Sequence, residues 1–237
     1  MKRFQLAVAV IMGMIVAVML GGCAGSYQGR SVDIKQTTLF DPNILTEGKD
    51  GQSLYRYVNP KADIKQYSKV FVDKVLVRKD GQLDKDELQD YQNLSYNAYV
   101  YLTKELEKDY TVVLTPEPGA MRVQMAITDA DSSKPVRNTL STFVPVGMVL
   151  SLVKYSATGK QSGVGEISVE MLITDVSTGE LLGAALDRRV GGKEVNKLWS
   201  SWANANAALE YWAQQLRFVF CDMRSDGVKC VKPGEQK

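Results

Sequence analysis

The sequence predicts an α+β fold: a mixed, mostly antiparallel sheet with two long amphipathic helices on one face. Three observations predict it. Stretches near residues 85–109 and 195–220 carry apolar residues at three- and four-residue spacing, the period of a helix buried on one side. Met121–Ile127 and Ile167–Ile173 alternate apolar and polar residues, the period of a strand with one buried face. Asp175-Val176-Ser177-Thr178-Gly179 follows the second of these and supplies a hairpin turn.

The elements follow in chain order. Lys2 and Arg3 precede an uncharged apolar run from Leu6 to Leu20, broken only by Gly13. That run has the length of a signal-peptide core rather than of a membrane span. Leu20-Gly21-Gly22-Cys23 comes next and resembles a bacterial lipobox, so residues 1–22 are expected to be cleaved and Cys23 lipidated. The residue after Cys23 is Ala24, not the aspartate that favours inner-membrane retention in enterobacteria. The expected location is the outer membrane, with the domain facing the periplasm. Several acyl chains hold durably where one holds marginally, at about 0.8 kcal/mol per buried methylene.

Residues 23–60 are rich in glycine and polar residues and read as a lipid-anchored flexible tether, although Leu39-Phe40 and Tyr55–Val58 have the composition to dock on a domain. Residues 61–237 read as one α+β domain. Lys69–Val77, dense in β-branched residues, is the first strand, stopped by Lys79-Asp80-Gly81. Asp84-Lys85-Asp86-Glu87 looks like a capping box opening the first helix, whose stripe is Leu88, Tyr91, Leu94, Ala98, Leu102 and Leu106. Tyr91, Tyr96, Tyr99 and Tyr101 are more tyrosines than one buried face needs, so some are expected at the surface. Thr111–Thr115 is a short strand ended by Pro116-Glu117-Pro118-Gly119, and Leu181–Arg189 returns from the hairpin turn. The closing helix carries Trp202, Ala205, Leu209, Trp212, Leu216 and Val219 on one stripe. The order is strand-helix-strand-strand-insert-strand-strand-helix.

The insert is residues 139–159, in which Lys154 is the only charged residue. Pro145 and Gly147 disturb any helix there, and the segment is short for a membrane span. It either packs as core, or contacts a partner or a second copy, or lies against the membrane; Phe143, Val146, Met148, Val149, Leu150 and Val153 are the candidate contacts.

Composition narrows the chemistry. There is no histidine, which removes Ser-His-Asp and Cys-His catalysis and His-ligated zinc. Loss of Lys2 and Arg3 with the signal leaves 27 basic side chains against 27 acidic ones, so no global charge draws the chain to nucleic acid. Cys221 and Cys230 are an even pair in an exported chain and are expected to form a disulfide. Gly159-Lys160 fails as a P-loop because Gln161 and Lys154 stand where a serine or threonine and a glycine belong. Gly163-Val164-Gly165 lacks the third glycine of a dinucleotide site, Ser168 standing in its place. Asp129-Ala130-Asp131 begins like a calcium loop, but Leu140 occupies the position of its last carboxylate. No metal, cofactor or catalytic residue is expected. Asp187-Arg188-Arg189 either pairs internally or offers Arg188 and Arg189 to an anion or a partner.

Three stretches together resemble a bacterial lipoprotein family defined only as a domain of unknown function, number 3313. They are Tyr57–Asp63 leading to Tyr67–Asp73, then Gly163–Glu170 with Asp175–Leu182, then Ala184–Arg189. The likeness spans most of residues 55–220. It implies a class and a compartment but no activity. Val169–Leu182 is also similar to a strand-turn-strand in envelope lipoproteins related to the curli secretion channel. The expected function is therefore a non-enzymatic envelope binding or assembly factor, with another envelope protein or a second copy as partner. The alternatives are a subunit of an oligomeric export or secretion apparatus, and a hydrolase acting on wall or surface polymers.

Overall fold

Alternation and turn chemistry build the centre of the sheet. The computed structural model describes residues 26–29, 32, 37–78, 85–128, 166–191, 201–224 and 229–235. The elements are β1 (Ser26–Gln28), β2 (Thr46–Glu47), β3 (Tyr55–Val58), β4 (Lys69–Val72), β5 (Leu76–Arg78), α1 (Lys85–Leu106), β6 (Thr111–Val113), β7 (Ala120–Thr128), β8 (Glu166–Asp175), β9 (Leu181–Gly191) and α2 (Ser201–Arg224). The three long strands β7, β8 and β9 pair antiparallel, with Met171 between Met125 and Ala185. β4 and β5 run parallel along the outer edge of β7, and β6 runs parallel to β4. β1 and β3 share the outer edge of β9, both antiparallel, and β2 pairs with β3. The sheet is mixed and mostly antiparallel, in the order β2-β3-β9-β8-β7-β4-β6.

The turn between β8 and β9 is held by one side chain. Asp175 Oδ1 accepts from the amides of Ser177 (2.8 Å) and Thr178 (2.7 Å), and Gly179 sits at φ 71°. The Thr178 amide is the main reason the Asp175 carboxyl lies below its ordinary value. Tyr67 donates to the other oxygen at 2.8 Å, and burial followed by that bond pushes its hydroxyl up.

Both helices pack on one face. The register puts Val123, Met125 and Ile127 of β7 beside Ile173, Met171 and Val169 of β8, and the buried stripes of both helices join them in one core. Tyr91, Leu94, Ala98, Leu102 and Leu106 of α1 are buried, as are Ala205, Leu209, Trp212 and Leu216 of α2. The predicted helix beginning at 195 is described from Ser201 and runs on to Arg224, where Phe220 and Cys221 extend the buried stripe. Asn97 donates to Asn206 at 2.8 Å across the helix pair, and Arg217 donates to Asp109 at 2.7 Å beyond the end of α1. The Asp109 bond holds the Arg217 guanidinium above its ordinary value. Of the four tyrosines on α1, Tyr91 is buried, Tyr99 and Tyr101 are half-buried, and Tyr96 is 53% exposed.

Three sequence expectations are corrected. Lys69–Val77 is not one strand: three residues lie between Val72 and Leu76, while two lie between their partners Val123 and Ala126. The extra residue makes a bulge. The Asp73 amide still donates to the Val123 carbonyl at 2.9 Å while its side chain pairs with Arg122, and Ser95 of α1 donates to the Val75 carbonyl at 2.6 Å. The stretch 23–60 is not simply a tether, because β1, β2 and β3 lie within it and belong to the sheet. These strands have two to four residues, too few to show a period. Nor is the polar side of the central strands open along its whole length. Ala126, Ser168, Glu170 and Leu186, on the face away from the helices, are all at most 3% exposed.

Cys221 and Cys230 are joined, with Cα atoms 5.7 Å apart. The bridge ties residues 229–235 back to α2, where the Gly234 amide donates to Gln214 at 3.0 Å. Closing so short a loop is worth about 2–3 kcal/mol on the chain-entropy model. The double substitution C221S/C230S should lower the denaturant midpoint by a corresponding amount without changing the far-ultraviolet spectrum of the domain, and reducing agent should move the parent protein to the same midpoint.

Candidate functional site

Asp187 lies in the middle of β9 on the helix-facing side and is 3% exposed. Its Oδ1 accepts from Gln28 Nε2 at 2.8 Å and from the Leu54 amide at 3.0 Å. Its Oδ2 accepts from Trp212 Nε1 at 2.7 Å. A buried carboxylate is costly unless its lone pairs are met, and here three donors from β1, the turn before β3, and α2 meet them. Arg189 is on the same face, with its guanidinium 3.5 Å above the centre of the Tyr211 ring. Burial lowers its pKa against the opposing pull of Tyr211 and Asp187.

Arg188 and Arg189 do not form one anion clamp. Successive strand residues point to opposite faces. Arg188 lies on the far face opposite Ser168, and β1 passes beside it with Gly29, where an added Cβ would stand 3.0 Å from Arg188 Cγ. The absent side chain leaves the space the arginine fills.

Glu170 was missed by sequence reasoning, because an acid on the polar side of an alternating strand reads as solvent-facing. The structure buries it completely between Ala126 and Leu186. Its Oε2 accepts from the amides of Thr38 (2.8 Å) and Leu39 (3.1 Å) and from the Thr38 hydroxyl (3.2 Å). Oε1 has no hydrogen-bond partner among the described residues. Burial raises the Glu170 pKa, and the bonds to Thr38 and Leu39 and the charge of Arg78 only partly offset it.

Beside Asp187 the two layers part. β9 carries Gly183-Ala184-Ala185, and Gly183 and Ala185 face the helices opposite Ile173 and Met171. Residues this small cannot reach α2, so a groove of about 70 Å³ remains between β3 and β9 on one side and the second half of α2 on the other. Trp212, Leu216, Val219, Phe220 and Met223 line its helical wall, and Tyr57, Val58, Met171 and Ile173 line its sheet wall. Its polar rim is Gln52, Ser53, Arg56 and Gln215. The lining is mainly apolar, with a few polar groups. The only hint of it in the sequence is the small-residue run on an otherwise bulky strand.

Cys23 and the insert residues Phe143, Val146, Met148, Val149, Leu150 and Val153 lie outside the described residues, as does the Trp202 side chain. Among the described residues no three metal-ligating side chains converge, and no helix is long and apolar enough to cross a membrane.

A family model described as "Protein of unknown function (DUF3313)" matches residues 35–216. No curated protein matches the chain. Among solved structures, the PelC dodecamer from Paraburkholderia phytofirmans is similar at 13% identity, covering 68% of this chain and 94% of that one, with a TM-score of 0.37. A DUF4136 family protein from Bacteroides thetaiotaomicron VPI-5482 is similar at 15% identity, covering 72% of this chain and 95% of that one, with a TM-score of 0.38.

Two substitutions test the buried acids. Asp187→Ala leaves the Trp212 and Leu54 donors unmet in a dry site, and stability should fall by about 3 kcal/mol or more in urea unfolding. An unchanged midpoint would show that the carboxylate is dispensable. Glu170 has a folded-state pKa above its ordinary 4.5, so the stability it contributes is complete below that value and is lost as pH rises through the folded value. Glu170→Gln keeps an acceptor for Thr38 and Leu39 but cannot ionise. It should be more stable than the parent at neutral pH, and that advantage should vanish in acid, read as thermal midpoints across the range.

Proposed function

The chain belongs to the DUF3313 family, and from that premise we propose that it is a lipid-anchored envelope protein that works by binding, without catalysis, an apolar segment of another envelope protein. The observation that carries this reading is the groove between α2 and the β3–β9 edge, an apolar trough with a polar rim. The charged groups around it support the non-catalytic reading. Asp187 is committed to three donors, and Arg189 is stacked on Tyr211. Groups held this way are positioned for structure rather than for proton transfer.

The anchor rests on the lipobox-like Leu20-Gly21-Gly22-Cys23. Ala24 after the cysteine supports sorting to the outer membrane, with the domain on the periplasmic side. The insert residues Phe143–Val153 belong to the same proposal as further candidate contacts.

The test is photocrosslinking in the native envelope from a reactive residue placed at Met223, at the groove. The expected result is one discrete heteromeric adduct, lost in Val219→Arg, with the thermal midpoint of that variant within a few degrees of the parent. An adduct of twice the chain's own mass would replace the foreign partner with a second copy and favour the oligomeric apparatus. No adduct, or one that survives Val219→Arg, would overturn the groove as the binding site.

A further inference from the structure

We infer that the domain stands on the membrane on one particular end of its sheet, the end that carries Ser26, Arg78, Thr128, Glu166 and Gly191, with phospholipid headgroups as the contacting partner. This rests on the proposed lipidation of Cys23.

The register assembles that end. Ser26 at the start of β1 pairs with Gly191 at the end of β9. Glu166 at the start of β8 pairs with Val190, and Thr128 at the end of β7 pairs with Ser168. Arg78 at the end of β5 pairs with Thr128. Five strand termini therefore share one edge of the molecule.

Covalent geometry then sets the distance to the bilayer. Cys23 is separated from Ser26 only by Ala24 and Gly25. Three peptide steps span at most about 11 Å even when fully extended. Ser26 is already paired with Gly191 in the sheet, so an acylated Cys23 brings this end of the sheet to within about that distance of the headgroups. No long tether intervenes to let the domain turn over.

Two further features agree. Residues 129–165, which include the apolar run Phe143–Val153, are joined in sequence to Thr128 and Glu166, both at this end. The opposite end of the same strands is the Asp175–Gly179 turn, where Ser177, Thr178 and Gly179 are exposed. β8 has ten residues, so the two ends are separated by about 33 Å along the strand. The orientation therefore predicts a large difference between labels placed at the two ends.

The experiment uses the full-length lipidated protein in phosphatidylethanolamine–phosphatidylglycerol vesicles carrying a nitroxide on a fraction of the headgroups. A genetically encoded fluorescent residue replaces Thr128 in one variant and Ser177 in another. The Thr128 label should lose most of its emission and the Ser177 label should keep nearly all of it. A label at Arg78, on the paired strand, repeats the first measurement should the Thr128 variant fold poorly. Equal quenching at both ends, or stronger quenching at Ser177, in a protein whose intact mass shows its acyl chains, overturns the orientation while leaving the anchor in place. An intact mass without acyl chains overturns the anchor and the orientation with it.

Discussion

The carboxylate of Asp187 is the constraint on which the rest of the structure depends. It is the point where three otherwise independent pieces of chain meet: β1 through Gln28, the turn before β3 through Leu54, and α2 through Trp212. An acid at 3% exposure is tolerated only because each of these donors is aimed at it. The dependence is mutual, since Trp212 Nε1 and the Leu54 amide would otherwise lose their acceptor. The interaction thus fixes how α2 lies across β9 and where the N-terminal segments add to the sheet edge. The groove begins beside Trp212, so its helical wall is set by the same bond.

A second constraint is that the middle of the central sheet is covered on the side away from the helices. In a two-layer α+β fold the side away from the helices is ordinarily wet and polar. Here Ser168 and Glu170 occupy that side and are buried all the same, with the Thr38–Leu39 backbone donating to Glu170. Strand alternation then sends Arg188 to this side and Arg189 to the other, where one fills the space above Gly29 and the other stacks on Tyr211. Two adjacent arginines that look like one site in the sequence serve two layers. Glu170 carries the cost of the arrangement, held by good donors on one oxygen and raised in pKa by burial.

Function and fold are joined through the N-terminal segment. Its strands complete the β9 edge, form part of the groove wall, and leave very little chain between the sheet and Cys23. On the proposed lipidation of Cys23, a domain held this closely would have a restricted orientation, which would set which surfaces remain open to the proposed partner. The groove opens between α2 and β3, and the disulfide between Cys221 and Cys230 secures the end of the helix that walls it.

Local pattern determined a great deal by itself. The stripes from Tyr91 to Leu106 and from Ala205 to Leu216, the alternation in β7 and β8, and the Asp175–Gly179 turn are short-range features whose periods reveal the buried face directly. The fold class, the hairpin and the cysteine pairing follow from them and from the export expected of the chain. Tertiary structure alone decided what depends on meetings across the chain. β1 and β3 are strands because β9 offers them an open edge, not because of their own periodicity. Glu170 is buried because residues 132 positions earlier donate to it, and Asp187 is a junction because its three partners converge from remote places in the sequence. Periodicity reports which side of an element is apolar, but only packing reports whether the other side is wet, since burial depends on what distant chain arrives to cover it.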